Sequence, residues 1–138
     1  TQPCVVVNEG VVKSYLLDSY AGRRLGMPST GHANGTHNLI VEPGPHNLEQ
    51  LLATMGSGVL ITELMGMGVN ILTGDYSRGI AGFWVENGEV QFPVEEITAA
   101  SNLRNMFAGI QAVGNDVDLR SGIRTGSVLI DHMTIAGE

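Results

Sequence analysis

One cysteine, Cys4, stands among 138 residues, so no disulfide can close within the chain, and such sparing use suits a reducing compartment such as the cytoplasm. Positive charge is also scarce. Lys and Arg total 7 against 14 Asp and Glu, a formal charge of −7, and such a surface repels phosphate backbones rather than neutralising them. Direct nucleic-acid binding is therefore not expected. No apolar run approaches the roughly 20 residues needed to cross a bilayer, no signal peptide is visible, and no membrane role is expected. The sequence opens without Met on a strand-like Cys4-Val5-Val6-Val7; truncation, processing or simple removal of Met before Thr1 would each account for that.

Several catalytic signatures are missing as well. There is no HExxH or HExxxH, no GxSxG elbow, and neither a GxxxxGK[ST] loop nor a GxGxxG opening a helix, so zinc-protease helices, serine-hydrolase elbows and phosphate cradles are not read here. His32 and His37 lie five apart in a loop, a spacing of no standard zinc pattern, and read as hydrogen-bonding or substrate-side residues rather than metal ligands. No metal ligands are assigned. Cys4, on an apolar strand with no cation beside it in sequence, reads as inert. Glu63, Asp75, Glu86 and Asp116 border loops, but no pair can be named acid and base from spacing alone, and no catalytic residue is assigned.

What the chain does have is aliphatic residues and glycine. Hydrophobic residues make up 43% but aromatics only 5%, and glycines number 19, which fits a turn-rich domain with an aliphatic core, and 138 residues fit a single domain over 1–138. A hairpin is expected over Cys4 to Leu17 around Asn8-Glu9-Gly10, then a helix from about Ser19 ended by Gly26. Met27 to Pro45 reads as a polar glycine-rich loop with a brief strand at Asn38 to Glu42. His46 or Asn47 should cap a helix through Met55, with Leu48, Leu51, Leu52 and Met55 at i, i+3, i+4 and i+7.

Val59 to Thr62 reads as a strand. Glu63 to Gly82 follows as a shaped loop whose Leu64, Met65, Met67, Val69, Ile71 and Leu72 all call for burial. Asn87-Gly88 then predicts a type I′ hairpin between Phe83–Glu86 and Glu89–Phe92, because that turn needs positive φ at both central residues. Pro93 should end the pairing. Ser101 should cap a second helix carrying Leu103, Met106, Phe107 and Ile110, and Ser127–Ile130 and Met133–Ile135 read as closing strands around Asp131-His132. The fold class is α+β, mainly antiparallel sheet with two amphipathic helices and long glycine-rich loops. In Gly74-Asp75-Tyr76-Ser77-Arg78-Gly79 the plainest reading is a loop in which Asp75 pairs with Arg78 and Ser77 caps a turn.

The run TELMGMGVNILTGDYSRGIAGFWVENGEVQFPVEEIT, flanked by GVVKSYLLDSYAGRRLGMPSTGHANGTHNL and AVGNDVDLRSGIRTGSVLIDHMTIAG, resembles the TldD/PmbA family, historically named modulator of DNA gyrase, in its PmbA/TldE branch. The resemblance covers almost the whole chain and implies the C-terminal third of a longer protein tied to metallopeptidase activity. It implies zinc in a TldD-like partner, held there by an upstream HExxxH helix and a C-terminal cysteine. Between Arg120 and Ser127 this sequence has no cysteine, which fits the partner subunit without its own metal site. The expected partners are a TldD-like metallopeptidase subunit or a second copy of the chain, with a peptide substrate. A peptide added to a sheet edge would meet residues from two loops, His37 and Asn38 from one and Asp75, Tyr76 and Arg78 from the other. Two other readings stand beside it: a self-contained hydrolase using His32 and His37 with Asp75 or Glu63, and a structural module that dimerises.

Overall fold

The structure is a computed structural model and describes residues 3–33 and 35–137. Asn34, inside the loop read from Met27 to Pro45, lies outside the described residues. The chain divides into two units, Thr1–Leu39 and Ile40–Glu138.

In the first unit, β1 (Val7–Asn8) and β2 (Val11–Val12) form the expected hairpin, shorter than the sequence suggested, with Glu9 and Gly10 at positive φ in its turn. Helix α1 (Ser19–Leu25) begins where Asp18 accepts the Ala21 N–H and ends at Gly26, φ 66°. The Met27 N–H then returns to the Gly22 carbonyl at 2.8 Å, a left-handed cap that satisfies the last helical carbonyls. Strand β3 (Leu39–Ile40) falls at the boundary between the units.

The second unit is α+β around a four-stranded antiparallel sheet. Helix α2 (Leu48–Met55) carries a reciprocal capping box between Asn47 and Gln50, which fills two amide donors left open at a helix start. Strands β4 (Gly58–Met65), β5 (Asp75–Glu86) and β6 (Glu89–Asn102) follow, then α3 (Leu103–Ala108), β7 (Ile110–Val113), β8 (Ile123–Arg124), β9 (Val128–Ile130) and β10 (Thr134–Ala136). The main sheet has the order β10-β6-β5-β4, and β7 pairs with β9 in a separate ribbon. Ile80, Val85 and Ala99 are wholly buried and Leu51 nearly so; each of the larger side chains contributes about 1.5–3 kcal/mol through burial.

Asn87 and Gly88 have φ of 53° and 77°, and Glu86 faces Glu89, so the two-residue type I′ turn forms as expected. Its tip rests on α2. The Gly88 N–H donates to the Gly56 carbonyl at 2.7 Å, and a Cβ at Gly88 would press on the Ala53 backbone.

Pro93 does not end the strand. It stays in register opposite Phe83 while β6 continues to Asn102, and β10 meets β6 only at Thr98–Ala100. A proline is tolerated where its missing donor faces such an open side. The second predicted helix also changes: its cap is Asn102 rather than Ser101, which lies in β6, and Gly109 stops it so that Ile110 begins β7. No residue of α3 is buried, so apolar spacing there did not mark a core face. Register shifts at Ile61/Glu63 in β4 and at Ile80/Gly82 between β5 and β6, with Glu96 at φ 57°, mark bulges that increase the twist of the sheet.

Candidate functional site

The segment expected as one loop from Glu63 to Gly82 is mostly strand. β4 runs on to Met65 and β5 starts at Asp75, leaving Gly66–Gly74 as the loop. Asp75, Tyr76 and Arg78 are therefore strand residues. Side chains alternate across a strand, so Tyr76 and Arg78 share a face with buried Ile80 while Asp75 and Ser77 lie on the other. Asp75 and Arg78 do not pair: three residues apart on a strand they project oppositely, and the Asp75 carboxylate accepts the Thr73 hydroxyl at 2.7 Å. Nor does Ser77 cap a turn; its N–H donates to the Gly68 carbonyl at 2.7 Å.

The 66–74 loop is built by polar contacts. Asn70 accepts the Leu72 N–H at 3.0 Å and the Thr73 N–H at 3.3 Å. Its own N–H donates to the Asp75 carbonyl at 2.8 Å, and its carbonyl accepts the Gly74 N–H at 2.7 Å. Asn102, from the far end of β6, donates to the Thr73 carbonyl at 3.1 Å, and the Leu103 N–H reaches the Gly74 carbonyl at 2.7 Å. The expected burial does not follow. Met67, Ile71 and Leu72 are 101%, 84% and 93% exposed, and Leu64, Met65 and Val69 are exposed too, because backbone and amide bonds, rather than apolar packing, fix the loop.

Arg78 is half-buried opposite Ala99, whose methyl offers it nothing to bond. Its Nε is buried and has no hydrogen-bond partner among the described residues. The ion pair found among those residues is Asp118 with Arg120, 2.8 Å, which holds the Asp118 carboxyl down at about 2 through the Arg120 hydrogen bonds. A buried guanidinium nitrogen without an acceptor is costly, and an added carboxylate or carbonyl would relieve it.

Strand β4 is the outer strand of its sheet among the described residues. Beside it, between α2 and the β9–β10 segment, opens a cavity of about 390 Å³ lined by Leu51, Leu52, Leu60, Leu129, Met133 and Ile135, with Asp131 and His132 also in its lining. An unpaired strand edge over an apolar cavity can take an extended chain: the edge bonds its backbone and the cavity takes alternate side chains. Sequence reading missed this place, although the apolar face of α2 was its visible half.

His37 and Asn38 belong to the first unit and are exposed. The five expected site residues are thus divided, two in one unit and three in the other. His32 turns to Thr30 and Cys4, not to His37: its Nδ1 lies 3.0 Å from Thr30 Oγ1 and its Nε2 3.9 Å from Cys4 Sγ. Cys4, read as having no activating neighbour, has an imidazole beside it that comes from 28 residues away. Among the described residues no three of His, Cys, Asp and Glu come together, and a zinc ion held by protein normally takes three or four such ligands. The described residues do not fit one.

A family model described as the PmbA/TldA metallopeptidase C-terminal domain matches residues 1–137. The chain belongs to that family. It is 54% identical over 138 residues to the metalloprotease PmbA homolog of Haemophilus influenzae, covering 99% of this chain and 31% of that protein. A solved structure from Bacteroides thetaiotaomicron, described as a modulator of DNA gyrase, superposes with a TM-score of 0.87 at 34% identity, covering 96% of this chain and 30% of that one. Likeness to the other branch is weaker, 25% over 128 residues with the zinc metalloprotease TldD homolog of Saccharolobus solfataricus, covering 85% of this chain and 29% of that protein. The chain thus spans about a third of the length of these PmbA/TldA family relatives.

Proposed function

We propose that this chain acts as a single C-terminal domain of a PmbA-type subunit, without a metal site of its own, that works in the cytoplasm with a zinc-bearing TldD-like subunit in peptide processing. The observation that carries the reading is the unpaired β4 edge over the 390 Å³ apolar cavity, a surface suited to an extended peptide of varied sequence. Arg78 supplies an anion-seeking group one strand inward, and Asp75 fixes the loop that borders it through Thr73. No helix among the described residues is long and apolar enough to cross a membrane.

The loop at Met67, Ile71 and Leu72 supports a face toward the partner subunit. Its backbone is already ordered, so burying those side chains would cost little further conformational entropy, and pre-ordered apolar anchors are effective at interfaces.

The test uses the full-length protein reconstituted with its TldD-like partner. Hydrogen exchange at Gly58–Met65 should slow when peptide is added, and the double substitution Asp75→Ala with Arg78→Ala should impair cleavage while the complex stays assembled. Unchanged exchange along β4, or full cleavage by the assembled double variant, would overturn the peptide-edge reading. Cleavage and stoichiometric zinc in the protein alone would overturn its role as the metal-free subunit.

A further inference from the structure

Apart from the sheet edge, one cluster of nucleophilic and titratable side chains stands in the first unit. Cys4 is exposed, with Sγ 3.9 Å from His32 Nε2, and His32 Nδ1 is 3.0 Å from Thr30 Oγ1. Thr30 is itself anchored. Its Oγ1 accepts the Leu17 N–H at 2.7 Å and lies 3.2 Å from the Leu17 carbonyl, to which the hydroxyl can donate. Leu17 is 4% exposed, so the contact that orients the imidazole is tied to a buried point.

The arrangement suits proton transfer between the two side chains. With Nδ1–H turned to Thr30 Oγ1, the Nε2 lone pair faces the Cys4 S–H, so the imidazole can take the thiol proton as the sulfur attacks. The thiolate, not the thiol, is the attacking species in sulfur chemistry. Beside it lies a cavity of about 320 Å³ lined by Cys4, Ser14, Tyr15, Thr30 and His32 among others, within the size range of small-molecule sites.

We propose that Cys4 is a modification site at which the His32-paired thiol exchanges with small disulfides. The Cys4 thiol passes its proton to His32 Nε2 as its sulfur attacks one sulfur of the disulfide, the new S–S bond forms as the old one breaks, and the departing thiolate takes that proton from His32 Nε2. The products are a mixed disulfide on Cys4 and one free small thiol, so no further oxidant enters. The site goes beyond the peptide-binding reading and does not depend on it.

The experiment treats the full chain with dithiodipyridine near neutral pH and follows the Cys4-containing peptide by mass spectrometry over time. His32→Ala and His32→Gln should slow modification of Cys4 by about tenfold or more, the low side of what a positioned proton-transfer group contributes, and added imidazole should restore part of the rate to His32→Ala. Circular dichroism identifies a variant that fails to fold, and the other then carries the test. Equal rates in folded wild type and variants, or no faster reaction of Cys4 in the folded chain than in the denatured one, would overturn the proposal.

Discussion

Strand β5 ends in two turns of opposite construction. At its C-terminal end the chain reverses in two residues, Asn87 and Gly88, and the tip is seated on α2 through the Gly88 N–H to the Gly56 carbonyl. At its N-terminal end the connection is the nine-residue loop from Gly66 to Gly74, closed by Asn70, Thr73 and Asn102, with Met67, Ile71 and Leu72 in solvent. The first turn is specified by backbone conformation and packing, and has nothing left over to bind with. The second is specified by polar bonds, and its apolar side chains remain available. A rigid loop that exposes its apolar residues is a feature of recognition surfaces more than of folding cores.

The largest effect should come from breaking the seated turn. Gly88→Val forces a β-branched residue to positive φ and presses its Cβ on the Ala53 backbone, and should cost about 2 kcal/mol or more in stability. Thermal unfolding would read it directly; an unchanged Tm would mean that the tip does not rest on α2.

The exposed loop should behave in the reverse way. Replacing Ile71 and Leu72 together by Ser should weaken association with the proposed TldD-like partner by about 2 kcal/mol, as for anchor residues at an interface, while stability moves by less than about 0.5 kcal/mol. Titration calorimetry beside a melting curve separates the two. Loss of Tm with unchanged affinity would reverse the assignment of the two turns.

Asn70→Ala sharpens the comparison from inside the loop. Removing the acceptor of two amides should cost about 1 kcal/mol and speed hydrogen exchange at Leu72 and Thr73, with the Asn87–Gly88 turn unaffected. Matching changes in both turns would mean that they open as one unit.

The smallest effect lies in acid. Asp116 accepts the Ser127 hydroxyl at 2.6 Å and the Ser127 N–H at 2.9 Å, and the hydroxyl bond, ahead of the opposing effect of burial, lowers its pKa below 3.8. A lowered carboxylate stabilises the fold fully above the unfolded value, and that contribution is lost as pH falls through the folded one. Ser127→Ala should therefore lower stability by its full, small amount near pH 7, and the gap from the wild type should close as pH falls through the folded Asp116 pKa. A gap that stays constant across that range in pH-dependent unfolding would remove Asp116 from the acid-sensitive groups.

Local chemistry written in adjacent residues was legible without coordinates. Asn87-Gly88 names its own turn, because few other pairs accept two positive φ values. Gly26 ends α1 and Asn47 caps α2 for equally local reasons. The α+β class, the antiparallel pairing and the family followed from the sequence as well. Contacts between distant residues were not legible. Nothing near Pro93 in the sequence announces that β10 stops short of it, and nothing near Cys4 announces His32. Hydrophobicity alone called for burial of Met67, Ile71 and Leu72, whereas the structure fixes their backbone through Asn70 and Asn102 and leaves the side chains outside. The sequence by itself determined the Asn87-Gly88 turn and the ends of α1 and α2 at Gly26 and Asn47, which depend on conformational energies of a few neighbouring residues. Only the tertiary structure decided that β4 lies at the outside of its sheet, that the Arg78 Nε is buried without an acceptor among the described residues and that the Cys4 thiol meets an imidazole, because each depends on where segments far apart in the chain come to rest.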